Sequence, residues 1–109
     1  MIKKIPVLIP DIVNQSDTFT LEQFCSVCRI APQLVTEMVE EGVIEPHGAS
    51  KSEWMFTYSA VIRIQRACRL QHDLEINLPG VALSVDLLEE IDQLRLELKK
   101  LQRQLKSLE

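Results

Sequence analysis

Two cysteines three residues apart, Cys25-x-x-Cys28, are the first residues of this chain whose type and spacing could do chemistry. Such a pair can hold a soft metal or cycle between dithiol and disulfide. A structural zinc needs four ligands, and the remaining candidates, Cys68, His47 and His72, show no paired spacing. Leu21, Phe24, Cys25 and Cys28 also fall at i, i+3, i+4 and i+7, one apolar stripe of a short helix, so the two thiols read as core residues. Neither histidine has a Ser, Cys or carboxylate constellation around it, and the 3 glycines form no phosphate loop. No catalytic centre, metal or cofactor is expected.

Charge is the remaining source of chemistry. Arg63, Arg66 and Arg69 recur every third residue and could meet phosphate, but with Asp73 nearby such a strip more often pairs with local acids or solvent. Acid is more localised. Between residues 18 and 56, Arg29 and Lys51 stand against Glu22, Glu37, Glu40, Glu41, Glu45 and Glu53, so the whole chain's net −4 sits in this segment and the remainder balances.

The elements around these residues begin at Phe19. Thr20 is a helix N-cap, Gln23 closes a capping box with it, and Phe19 can staple onto Phe24. Arg29-Ile30-Ala31 makes a turn, and Pro32 occupies a first helical position, where its missing N–H has no partner to lose. A second helix over residues 32–41 buries Leu34, Val35, Met38 and Val39, and Gly42 stands where a left-handed cap is wanted. Its outer face carries Gln33, Thr36, Glu37 and Glu40, with Glu41 beside them. A DNA-reading helix would carry Arg, Lys, Asn or Gln there, so duplex binding by this face is disfavoured. After an extended piece at residues 43–46 and a turn at 47–52, residues 53–56 read as a second strand, giving a hairpin wing. Trp54 and Met55 alternate in that strand, one inward and one outward. Thr57 can cap a third helix reaching about residue 74, and Asn77 with Pro79 starts a fourth.

The tail has the clearest period. Leu87, Ile91, Leu94, Leu98, Leu101, Leu105 and Leu108 are spaced 4, 3, 4, 3, 4, 3, filling every a and d position of a coiled-coil seam. A seam of about 33 Å calls for a second copy. Asp86, Glu89, Glu90 and Asp92 crowd one end and Arg95, Lys99, Lys100, Arg103 and Lys106 the other, which favours antiparallel pairing. With 109 residues, 46% hydrophobic and 26% charged, the chain suits one compact domain plus this appendage. Residues 1–17 form an extended segment, with Pro6 and Pro10 allowing at most an edge strand. Residues 18–78 form a winged helix-turn-helix domain and 79–109 the dimerisation helix. The 3 cysteines, the absence of a secretory signal and the lack of any apolar run of ~20 residues place it in the cytoplasm, off the membrane.

Helix-turn-helix, hairpin wing, arginine-bearing helix and coiled coil, in that order, resemble the MerR superfamily. Particular words narrow the resemblance to the CbpM chaperone-modulator family. They are Phe19-Thr20 with Phe24-Cys25, Glu41-Gly42-Val43-Ile44-Glu45-Pro46, Trp54-Met55-Phe56, Gln65-Arg66-Ala67 with Arg69-Leu70 and His72, and Leu78-Pro79-Gly80-Val81-Ala82. The resemblance implies a mainly α fold and an adaptor that binds the J-domain of the DnaJ-like co-chaperone CbpA, blocking its stimulation of DnaK. J-domains present a basic helix to DnaK, which the acidic second helix is suited to occupy. On this reading Glu37, Glu40 and Glu41 supply charge, Gln33 and Thr36 polar fit, and Trp54 or Met55 an apolar anchor. The alternative is a MerR-type transcriptional regulator, supported by the fold and the three arginines; a third is an assembly module using the coiled coil alone.

Overall fold

The computed structural model describes residues 14 and 16–108. The edge strand expected before residue 14, and with it most of the 1–17 segment, lies outside the described residues. The chain enters at β1, Thr18–Thr20, which leads directly into α1, Leu21–Cys28. The capping box is closed in both directions: the Gln23 N–H donates to Thr20 Oγ1 at 3.2 Å, and the Thr20 N–H donates to Gln23 Oε1 at 3.0 Å. Thr20→Ala removes one of these bonds at a helix end that must satisfy its own donors. We expect a cost of about 1 kcal/mol, read as a melting temperature lowered by several degrees.

Arg29 adopts a left-handed conformation (φ 57°) to end α1, and Pro32 opens α2, Pro32–Glu40. Val35 and Met38 are fully buried, with Leu34 and Val39 half-buried against the same core. Gly42 (φ +78°) turns the chain, allowing the Val43 N–H to donate back to the Met38 carbonyl at 2.8 Å.

The wing is more reduced than the sequence suggests. Val43 and Ile44 are both buried instead of alternating, and the chain returns through Gly48 (φ +118°) and a single 3-10 turn, Lys51–Glu53. A Cβ at Gly48 would lie 2.5 Å from the Glu53 carbonyl oxygen, so only glycine fits. One bridge closes this hairpin: the His47 N–H donates to the Met55 carbonyl at 2.9 Å and the Met55 N–H to the His47 carbonyl at 2.8 Å. The ladder partner of β2, Met55–Thr57, is β1, with Phe19 opposite Phe56 in an antiparallel pair. The expected strand over residues 43–46 therefore gives way to residues 18–20. Pro46 has no donor to offer a ladder, whereas β1 aligns one buried Phe beside another.

Phe56 stacks on Phe24 at a ring separation of 4.2 Å and joins the wing to α1. α3, Tyr58–Leu74, lays Ala60, Val61, Ile64, Ala67 and Leu70 into the core. The Thr57 hydroxyl at its start pairs with the Ser59 hydroxyl at 2.9 Å and caps no backbone donor. Asn77 then caps α4, Leu78–Ser107, accepting from the Gly80 N–H at 2.9 Å. Val81 and Val85 of α4 are fully buried, Leu88 packs against the core, and residues 89–108 are exposed. The molecule is accordingly a compact head with a projecting helix, 55 × 32 × 27 Å in extent. No helix among the described residues is long and apolar enough to cross a membrane.

Candidate protein-docking face

Packing of Val35 and Met38 inward turns the opposite side of α2 to solvent. Gln33, Glu37 and Glu40 are exposed there, as is Glu41 just beyond the helix. Thr36 is half-buried, and its hydroxyl donates to the Pro32 carbonyl at 2.8 Å, so its polar atom is already used within α2. Among the described residues no salt bridge engages Glu37, Glu40 or Glu41. Their position is electrostatically unfavourable for the helix itself. The C-terminal end of an α-helix carries partial negative charge, and α2 has no base in its last turn to offset it. Carboxylates kept at that end, without counter-charges, need a reason other than helix stability.

The arginines of α3 are in the opposite state. Arg63 donates its Nε–H to the Val43 carbonyl and splits its guanidinium between Asp86 and Glu89, the latter at 2.7 Å. Burial opposes its charge, but the two carboxylates outweigh burial and push its pKa upward. Arg66 reaches Asp92 at 3.1 Å, and Arg69 pairs with Asp73 at 3.3 Å. The strip that could have met phosphate is therefore neutralised from within, three of its four acids coming from α4. Asp86, Glu89 and Asp92 stand out in the sequence only as the acidic end of the tail, and nothing local marks their pairing with arginines 23 or 26 residues away.

All three cysteines are free and half-buried. Burial, reinforced by the neighbouring Cys68 and Cys25, pushes the Cys28 thiol up to about 12, and burial also raises Cys68 and Cys25. Among the described residues no group of three or more Cys, His, Asp or Glu side chains could hold a metal. Only the thiolate reacts with alkylating agents. At pH 8 we expect native Cys28 to react with iodoacetamide roughly a thousandfold more slowly than free cysteine, a lag that denaturant should abolish; mass spectrometry of timed samples reads it.

Trp54 and Met55 are both half-buried, Trp54 lying edge-on to Phe56 at 6.1 Å. They support the wing and leave part of each side chain accessible. The seven residues of the tail seam are all exposed, from 42% at Ile91 to 83% at Leu108. Leu83 and Leu96 are exposed as well, Leu83 one turn before the seam begins.

Comparison with known proteins agrees with this architecture. The sequence model of the family described as MerR HTH family regulatory protein matches residues 19–103. A chaperone modulatory protein CbpM of Citrobacter koseri is 41% identical over 85 residues, covering 78% of this chain and 84% of its own. CbpM of Coxiella burnetii is 34% identical over 92 residues, 84% of this chain and 87% of the relative. CbpM of Escherichia coli is 36% identical over the same length, 84% of this chain and 91% of the relative.

Proposed function

The chain belongs to the CbpM family of chaperone modulators, within the MerR-type helix-turn-helix group, and on that premise we propose that it binds the J-domain of the DnaJ-like co-chaperone CbpA and prevents it from stimulating DnaK. The role is regulatory, not catalytic. The observation that carries the reading is the exposed acidic end of α2: Glu37, Glu40 and Glu41 have no salt bridge among the described residues and stand where the helix dipole disfavours them. A basic helix laid against them regains that electrostatic free energy as binding, and steering toward it raises the association rate. Gln33 lies at the rim of this surface. Trp54 and Met55 offer half-buried apolar area to a partner reaching the wing. Two copies join through the leucine seam of α4 as an antiparallel pair, and the complex acts in the cytoplasm, where its client resides.

Calorimetric titration with the isolated J-domain tests the docking step, and DnaK ATPase stimulation by CbpA tests the consequence. Saturable binding that weakens with salt, and loss of the stimulation, are expected. Binding to the co-chaperone's client-binding part with no affinity for the J-domain would overturn the assignment. The MerR-type fold keeps one rival in view, a regulator that binds operator DNA. Sequence-specific retention of duplex DNA at low salt would favour it. Against that reading, the arginines of α3 would first have to release their own carboxylates.

A further inference from the structure

One face of α4 changes character along its length. Val81, Val85, Leu88, Asp92, Arg95, Lys99, Arg103 and Lys106 follow one another at intervals of 4, 3, 4, 3, 4, 4 and 3 residues, which keeps them on one side of the helix. The first three are the apolar contacts with the head, and Asp92 receives Arg66 at its edge. Beyond that point the same side is basic. It runs along a flank away from the leucine seam, with only Arg95 at the seam's edge, so pairing of two tails through the leucines leaves Lys99, Arg103 and Lys106 open. At ~1.5 Å per residue, Arg95 to Lys106 extends for about 16 Å.

These bases differ from those of α3. Arg63, Arg66 and Arg69 are each matched to a carboxylate, whereas among the described residues no salt bridge engages Arg95, Lys99, Arg103 or Lys106. Arg95, Lys99 and Arg103 also succeed each other at i, i+4, an arrangement of like charges that weakens a helix. The dipole favours bases only in the last turn, and Arg95 and Lys99 lie short of it.

We propose that this stripe is a second docking surface, for an acidic segment of the same protein partner that meets α2. The two surfaces are held in fixed relation by Arg63, which bonds the Val43 carbonyl just past the end of α2 and also Asp86 and Glu89 of α4. The partner must therefore be dipolar, with a basic helix for the head and a carboxylate-bearing strip for the tail. Charge complementarity of both signs fixes its orientation as well as its affinity. An anionic polymer is the poorer occupant, because the nearby head carries the chain's net −4 and would repel it.

The inference rests on the docking function proposed above, and its test separates the two. Full-length Lys99→Glu/Arg103→Glu and the milder Lys99→Gln/Arg103→Gln are titrated with the co-chaperone beside Glu37→Lys/Glu40→Lys, with masses checked by light scattering. Tail reversal is expected to weaken binding about tenfold, and the neutral pair less, at unchanged oligomeric mass. Tail variants that bind like wild type while the α2 variant fails would overturn the second surface and leave the first standing. Wild-type affinity in all three variants would overturn both. Binding of a labelled DNA duplex lost only on tail reversal, at unchanged co-chaperone affinity, would give the stripe to nucleic acid and overturn the assignment.

Discussion

Replacing Leu94 and Leu98 with Asp will leave a folded head and abolish self-association at any practical concentration. Both leucines are more than half exposed in a single chain, at 56% and 55%, and neither belongs to the head's core. Their substitution therefore costs the monomer little. In a paired seam each would be buried, and four leucines per dimer at about 1.5–3 kcal/mol apiece amount to roughly 6–12 kcal/mol. Introducing carboxylates into the same apolar contact adds to that loss. The expected light-scattering mass is that of one chain. Helicity should fall as well, since the stretch of α4 beyond Leu88 has no head to lie on and a free helix of that length is marginal in water. The core residues Val81 and Val85 keep the first turns of α4 in place, so cooperative unfolding of the head should persist. A dimer that survives the double substitution would locate the interface on another face.

What could be read in the sequence, and what could not, divides along the range of the interactions. The capping box, Pro32 at the start of α2, Gly42 at its end, Asn77 before α4 and the 17-residue span of α3 all follow from residues within one or two turns of each other, and all are found. The wing was harder, because a strand is defined by its partner. Residues 43–46 have strand-forming types, yet burial of Val43 and Ile44 and the proline at 46 leave the ladder of β2 to Thr18–Thr20, more than 30 residues upstream. For the same reason the expectation that these arginines, Arg63, Arg66 and Arg69, pair with local acids holds for Arg69 and Asp73, whereas the three α4 partners of Arg63 and Arg66, namely Asp86, Glu89 and Asp92, are illegible in the sequence. On the candidate site, periodicity was enough to turn Gln33, Glu37 and Glu40 outward. It could not show that the Thr36 hydroxyl is spent on the Pro32 carbonyl.

Reversing Glu37 and Glu40 to Lys is expected to separate binding from stability in opposite directions. Among the described residues none forms a salt bridge with these two, and they stand near the negative end of the α2 dipole, so exchanging them for lysines removes one unfavourable interaction and adds a favourable one. Each change is worth about 0.3–1 kcal/mol before screening by solvent and salt, and the melting temperature should stay level or rise slightly. In the complex the same lysines would face the partner's basic helix. Like charges set against one another at an interface cost several kcal/mol, so calorimetry should show affinity reduced by about 30- to 1000-fold. The residual binding should fall less steeply with salt than that of the wild type, because added salt then screens a repulsion at α2 as well as any attraction elsewhere. That combination, a fold at least as stable with a partner no longer held, is hard to obtain from a residue kept for packing. Unchanged affinity in a stable double variant would mean that the acidic end of α2 faces only water, and the interface would have to be sought elsewhere on the head.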